Sequence, residues 1–101
     1  MIFITQLIYI KKGQEETFNQ FENVAIPLIA KYNGKLLLRV RPTAASFIEQ
    51  NMEEAPYEIH LVEFNSEKDF EDFGRDEERK KFLHLKEQSI KAALLIKGNS
   101  L

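Results

Sequence analysis

Two arginines that lie two residues apart in an apolar segment are the first candidates for chemistry. Arg39 and Arg41 follow three leucines at 36–38. Side chains at this spacing point to the same face of a strand, so the two guanidinium groups would lie together. Such a pair can hold a carboxylate or phosphate through parallel hydrogen bonds. We therefore expect Arg39 and Arg41 to contact an anionic ligand, with Glu63 as a counter-ion if its strand turns the same way. The alternative is a structural salt bridge at a subunit interface.

Two histidines are candidates for a general base, because imidazole titrates near neutral pH. His60 lies in the middle of a predicted strand and shares a face with Val62 and Phe64, so the alternative is a neutral, hydrogen-bonded core histidine. His84 lies in a predicted helix, where a surface position without a chemical task is the simpler interpretation. Neither histidine has metal-ligand spacing, and the four glycines are scattered. The sequence thus predicts no metal site and no cofactor.

Composition limits the class of protein. The chain has 101 residues, 14 Lys and Arg against 16 Asp and Glu, and no Cys. This length favours one domain, and the net charge of -2 argues against a general nucleic-acid binder. The lack of cysteine excludes disulfides, thiolate metal sites and cysteine nucleophiles. The apolar segment at 1–10 is too short to cross a membrane, so we expect a cytoplasmic protein without membrane or nucleic-acid partners.

The elements that position these residues begin with a strand and a helix. Residues 2–11 are rich in Ile, Phe and Tyr and predict a strand covered on both faces, which Gly13 ends. A helix then begins near two glutamates at 15–16. One side of it is apolar at steps of three and four, at Phe18, Phe21, Val24 or Ala25, and Leu28. Pro27 should kink or restart this helix, and Asn33–Gly34 should end it.

Three further strands and a broken helix complete the order. Strands are predicted at 35–41, 57–64 and 92–96. In the first of these, a period of two places Leu36, Leu38 and Val40 on one face and Leu37, Arg39 and Arg41 on the other. In the next, Glu58, His60, Val62 and Phe64 share a face. Ser66 and Asp76 are the predicted N-caps of two helical segments between 66 and 89.

The order β-α-β-β-α-β predicts a single ferredoxin-like α+β domain over residues 1–101, with an antiparallel sheet and both helices on one face. Two helices cover only one face of the sheet. The other face would remain apolar and wet, so we expect a homodimer in which two sheets meet face to face.

Three segments resemble a known group of proteins. The run at 27–36 (PLIAKYNGKL), the Glu63–Phe64 pair and the segment at 76–79 (DEER) are similar to small bacterial proteins of unknown function with the dimeric α+β barrel fold, which are relatives of the antibiotic-biosynthesis monooxygenases. The resemblance implies a ferredoxin-like fold, a dimer, and a cavity between sheet and helices or at the dimer face. It implies no catalytic set, and enzymes of the wider group often work without metal or flavin.

Three functional hypotheses follow. The first is a dimeric protein that binds a small organic, anionic molecule near Arg39 and Arg41. The second is a cofactor-independent enzyme of the monooxygenase or isomerase and decarboxylase type, with His60 or His84 as the base. The third is a structural domain without a ligand.

Overall fold

The computed structural model describes residues 1–101 and has two layers, a sheet and a set of helices. The four strands are β1 (Ile2–Ile10), β2 (Gly34–Val40), β3 (Glu58–Phe64) and β4 (Ile90–Asn99). The helices are α1 (Glu15–Leu28), α2 (Glu67–Gly74), α3 (Glu77–Lys81) and α4 (Leu83–Ser89), with short 3₁₀ turns at Ile29–Tyr32 and Ala44–Ser46. The predicted order of elements is confirmed.

The sheet is antiparallel with the strand order β2-β3-β1-β4. The two strands that flank α1 in sequence, β1 and β2, are therefore separated by β3, as the split β-α-β arrangement requires. All helices lie on one side, which we call the helix face; the opposite side is the outer face. The predicted α+β fold class is confirmed.

The burial pattern of β3 alternates strictly, because helices cover one face only. Glu58, His60, Val62 and Phe64 share a face, as predicted, and they are buried on the helix face. Strand β1 is half-covered on its other side and so is not a strand buried on both faces. Its buried isoleucines pair with β3 so that one apolar cluster joins the two central strands, comprising Ile2, Ile4, Ile29, Val62 and Phe64.

A bulge in β2 reverses the predicted faces of that strand. Leu36 pairs with Val62, but the next register pair is Leu38 with Leu61, so Leu37 is an extra residue. Beyond the bulge, Arg39 lies opposite His60 on the helix face. A regular period of two predicts that Arg39 lies with Leu37 on the face opposite to Leu36. This prediction is wrong, because Arg39 and Leu36 both lie on the helix face. The cause is that one inserted residue moves every later side chain to the other face.

The turn into β2 depends on two small or permissive residues. Asn33 adopts the left-handed conformation, with φ 58° and ψ 34°, after the 3₁₀ turn that follows Pro27. Gly34 lies against the ring of Phe64, and a Cβ atom there would be 2.6 Å from Phe64 Cε1. The close approach of β2 to the core thus requires glycine at position 34.

Helix α1 packs its predicted apolar side onto the sheet, since Phe18, Phe21, Ala25 and Leu28 are all buried. Pro27 lies in its last turn, where the α-helix passes into the 3₁₀ turn. None of the helices is long and apolar enough to span a membrane.

The helical region after β3 is broken into three segments, and the first two begin at the two predicted caps. Ser66 Oγ accepts a hydrogen bond from the backbone N–H of Asp69 at 3.1 Å. The carboxylate of Asp76 accepts one from the N–H of Arg79 at 2.8 Å and others from Tyr32 and Lys31 at 2.5 and 3.1 Å. Asp76 therefore fixes the start of α3 against the end of the 3₁₀ turn after α1.

The outer face has no covering layer. The chain measures 35 × 34 × 16 Å, and the short dimension accommodates only one sheet and one layer of helices. The edge strands expose large apolar side chains there, at Leu38 (47%), Val40 (37%), Leu94 (50%) and Ile96 (52%). Exposed apolar faces are commonly interaction surfaces in proteins.

Candidate functional site

A cavity of about 360 Å³ lies between the helix face of the sheet and the helices, and we call it the helix–sheet cavity. Its volume is typical of pockets for small molecules. Thirteen of its twenty lining residues are hydrophobic, so most of the wall can hold only an apolar group. The polar side chains that line it are Gln6, Glu22, His60, Glu71, Arg79 and Lys86. A few polar groups in apolar walls are the usual composition of a site for an organic ligand.

Four charged or titratable side chains meet at one end of this layer, and we call them the Glu58 cluster: Glu58, His60, Arg39 and Arg41. The carboxylate of Glu58 has no solvent exposure. It accepts a hydrogen bond from Arg41 Nε at 2.8 Å, two from Arg39, and contacts His60 Nε2 at 2.5 Å. The strand period of β3 and the bulge of β2 together bring these groups to the same face.

Glu58 is ionised despite its burial. Burial raises the pKa of a carboxyl group, but the hydrogen bonds from His60, Arg39 and Arg41 outweigh it and lower the pKa of Glu58 to about 2. Arg41 reaches further, donating to Asn19 Oδ1 of α1 at 2.5 Å and lying 5.2 Å from the centre of the Tyr57 ring. The Glu58 cluster therefore ties β2, β3 and α1 together.

His60 is oriented by this carboxylate and lines the helix–sheet cavity. An ionised carboxylate only accepts hydrogen bonds, so Nε2 of His60 carries the proton in this contact. No group of the chain hydrogen bonds to Nδ1, which leaves its lone pair free in the neutral ring. A carboxylate that holds an imidazole in one tautomer is a common support for a general base.

Glu22 of α1 is a buried carboxyl group in the same cavity and was not among the predicted residues. Burial raises the pKa of Glu22. The sequence held one signal, since Glu22 is four residues after Phe18 and three before Ala25, within the apolar stripe of α1. A carboxyl group at such a position must be buried or must bend out of the packing.

Arg79 and Lys86 are cations in the cavity wall, from α3 and α4. The guanidinium carbon of Arg79 lies 5.7 Å from the centre of the Phe21 ring and 5.2 Å from that of Phe73. Burial lowers the pKa of both cations, and repulsion from Arg79 adds to this at Lys86. The run at 75–81 consists entirely of charged residues, and such a run carries no sign of which member turns inward.

The other predicted residues lie elsewhere. Glu63 faces the outer side, where it pairs with Phe3 and Lys35. The counter-ion of Arg39 and Arg41 is Glu58 and not Glu63. His84 is exposed and stacks on Phe82 outside the cavity lining. No group of three or more His, Cys, Asp or Glu side chains is arranged to hold a metal ion.

Comparisons with known proteins identify the fold. No protein-family model and no curated protein matches the chain. A protein of unknown function from Rhodopseudomonas palustris, RPA0582, is 14% identical with a TM-score of 0.84, over 99% of this chain and 82% of that one. An uncharacterised NIPSNAP domain protein from Burkholderia xenovorans is 9% identical with a TM-score of 0.72, over 100% and 95%.

A third structure carries a description of its fold. It is a dimeric protein of unknown function with a ferredoxin-like fold from Bacteroides fragilis, 14% identical with a TM-score of 0.68, over 98% of this chain and 95% of that one. At these identities the similarity establishes the fold and leaves the function open. The chain has the ferredoxin-like fold that its element order predicts.

Proposed function

We propose that this chain forms a homodimer that binds a small, largely apolar molecule in the helix–sheet cavity. The observation that carries the proposal is the cavity itself, whose apolar walls include a few convergent polar groups. His60 contacts the ligand in this proposal. Arg39 and Arg41 act on it through Glu58, because that carboxylate already occupies both guanidinium groups. Glu63 has no role in the cavity, since it lies on the outer face.

Binding is tested by filling the cavity. Ala93 of β4 lines the cavity at a solvent-exposed position, so a larger side chain can enter there without overpacking a closed core. We expect small aromatic and aliphatic probes to raise the melting temperature of the wild-type protein, and Ala93→Phe to remove that shift. Ala45→Phe, in the exposed turn at Ala44–Ser46, is the control and should keep it. Equal shifts in all three proteins would contradict binding in the cavity.

The homodimer is supported by the exposed apolar outer face and by the dimeric description of the Bacteroides fragilis structure. Four strands at about 4.8 Å spacing and lengths of seven or more residues give a face of roughly 500 Å² in plan. Side-chain relief increases this toward the ~800 Å² that each partner buries in a stable interface. A second copy fits because sheet-to-sheet contact buries the same residues on both chains. Sedimentation should show a dimer at micromolar concentration.

The Glu58–His60 contact favours a second candidate, a cofactor-independent enzyme that moves protons. Nδ1 of His60 would remove a proton from an acidic C–H bond of a bound carbonyl compound, and the protonated ring would return it at another atom. In a decarboxylation, a ring protonated by solvent would instead give its proton to the carbon that has lost CO₂. An isomerase or a decarboxylase needs only these transfers. Ionisation of the same kind of substrate would begin a monooxygenase reaction, which additionally consumes O₂.

Hydrogen exchange separates the enzyme from the binding protein. A 1,3-dicarbonyl compound in D₂O should exchange its acidic hydrogens faster in the presence of the protein. We expect His60→Gln to lower the catalysed rate by about 10²-fold or more. His84→Gln is the matched control, because that histidine is exposed, and should keep the full rate. A rate that is unchanged in His60→Gln would contradict the enzymatic hypothesis and leave the binding function intact.

A further inference from the structure

We propose that Arg79 and Lys86 form an anion subsite in the helix–sheet cavity, which takes the carboxylate of a small molecule whose apolar body lies along the sheet. The inference rests on the proposed binding function and names its ligand class. It also moves the anion contact away from Arg39 and Arg41, where the sequence placed it.

The first observation is an unpaired donor. Nε of Arg79 is fully buried and has no hydrogen-bond partner, and it is the one side-chain nitrogen or oxygen of the chain in that condition. The same guanidinium donates only a long bond, from one terminal nitrogen to the carbonyl oxygen of Gly74 at 3.4 Å. A buried donor without an acceptor costs free energy, and natural proteins leave few of them. An acceptor that enters the cavity would remove this cost.

The second observation is that the position of Arg79 is fixed before any ligand arrives. The rings of Phe21 and Phe73 lie within 6 Å of its guanidinium, and its backbone N–H is bonded to Asp76. A guanidinium held by cation–π contacts loses little conformational entropy when it binds an anion. The planar group is therefore prepared for a carboxylate, which matches its fork of donors.

The third observation is the balance of charge in the cavity. No carboxylate oxygen lies within 4.0 Å of a side-chain nitrogen of Arg79 or Lys86. The eight salt bridges of the chain are all formed by other residues. Of the three buried carboxyl groups on this side of the sheet, Glu58 is paired with Arg39 and Arg41, and Asp76 is paired with Lys31. Glu71 also lines the cavity, but it is exposed at the surface. Arg79 and Lys86 are thus left without a paired carboxylate.

The carboxylate of Asp76 also attracts Arg79, but it already accepts hydrogen bonds from Tyr32 and Lys31. Glu22 is the only buried carboxyl group in the cavity lining, and it forms no salt bridge with either cation. Burial raises the pKa of Glu22, and Arg79 opposes this only through its charge, without a hydrogen bond. A carboxylate from a ligand would supply the paired acceptor that Arg79 and Lys86 lack. The apolar body of that ligand would then lie against the wall formed by Ile4, Ile8 and Phe64.

The test compares acids with their amides, which have nearly the same shape and no charge. Phenylacetate and hexanoate are titrated against phenylacetamide and hexanamide at pH 7, with binding followed by NMR chemical shifts. We expect each acid to bind the wild-type protein at least ten times more tightly than its amide. Arg79→Gln should weaken the acid by about 10–100-fold, the range for a charge-assisted contact, and leave the amide nearly unchanged.

Two further variants keep the test decisive. Lys86→Gln removes the second cation from a less packed position, so it reports on the subsite even if Arg79→Gln fails to fold. Lys81→Gln removes an exposed cation from the same helix as Arg79 and should bind like the wild type. Amides that bind as tightly as acids, or acids that bind Lys86→Gln and a folded Arg79→Gln unchanged, would overturn the anion subsite and leave the binding function standing. If neither acids nor amides bind, both proposals fail.

Discussion

The Glu58→Gln protein is expected to lose about 3 kcal/mol of its free energy of unfolding. Removing one member of a buried ion pair costs 3–5 kcal/mol because the remaining charges stay desolvated. We place the loss at the lower end, because the side chains of Arg39 and Arg41 are 31% and 47% exposed and can regain water. Chemical denaturation measures the loss.

A matched ion pair on the surface serves as the control. Glu54 bonds Lys91 at 2.5 Å, with about half of each side chain exposed. Exposed pairs contribute at most about 1 kcal/mol, so Glu54→Gln should change stability by less than that. Equal losses in Glu58→Gln and Glu54→Gln would show that the Glu58 cluster contributes no more than a surface contact.

The same carboxylate should make stability depend on pH. The pKa of Glu58 is about 2 in the folded chain and 4.5 without these contacts. A lowered pKa stabilises the fold above pH 4.5 and loses that contribution as pH falls toward 2, a change on the order of 3 kcal/mol. The wild-type protein should therefore lose more stability between pH 5 and pH 2 than Glu58→Gln does. Parallel curves would contradict this role.

A single charge on the outer face is expected to separate the proposed dimer. Ile96 of β4 is 52% exposed on that face, so Ile96→Lys costs little in one chain. In a face-to-face dimer the lysine would be buried twice without a partner, at several kcal/mol, which corresponds to a dissociation constant at least about 10³ times higher. Sedimentation equilibrium should show a folded monomer at concentrations where the wild type is dimeric.

The neighbouring residue supplies the control. Leu95 is 47% exposed and adjacent in sequence, but it pairs with Gln6 and therefore faces the helices. Leu95→Lys should remain dimeric. A wild-type protein that sediments as a monomer, or Ile96→Lys and Leu95→Lys proteins with the same dissociation constant, would refute the interface on the outer face.

The element order and the burial of β3 were predictable because each depends on a local pattern. Alternation in β3 predicted that His60 shares a face with Val62 and Phe64, and steps of three and four in α1 predicted the buried side of that helix. The cap at Asp76 and the stop at Asn33 were also readable, since their backbone requirements suit few residue types.

The chemistry of the cavity was less predictable, because it depends on register and on distant elements. Arg39 lies on the same face as His60 only because of the bulge at Leu37, and no residue type in the strand predicts that bulge. Glu58 was placed on the correct face, but its role depends on three partners that the fold brings together. The guanidinium of Arg79 packs against the rings of Phe21 and Phe73. Those residues belong to other helices, so this contact could not be predicted from the local sequence.

The extra residue in β2 makes the length of this strand a determinant of both surfaces at once. Insertion of one residue between Leu38 and Arg39 would rotate Arg39 and Arg41 outward, because the inserted residue would take the place of Arg39 opposite His60. Glu58 would then be buried without its cations, and two arginines would enter the face that we assign to the second subunit. Substitutions along this stretch should consequently be tolerated far better in evolution than the insertion of a single residue.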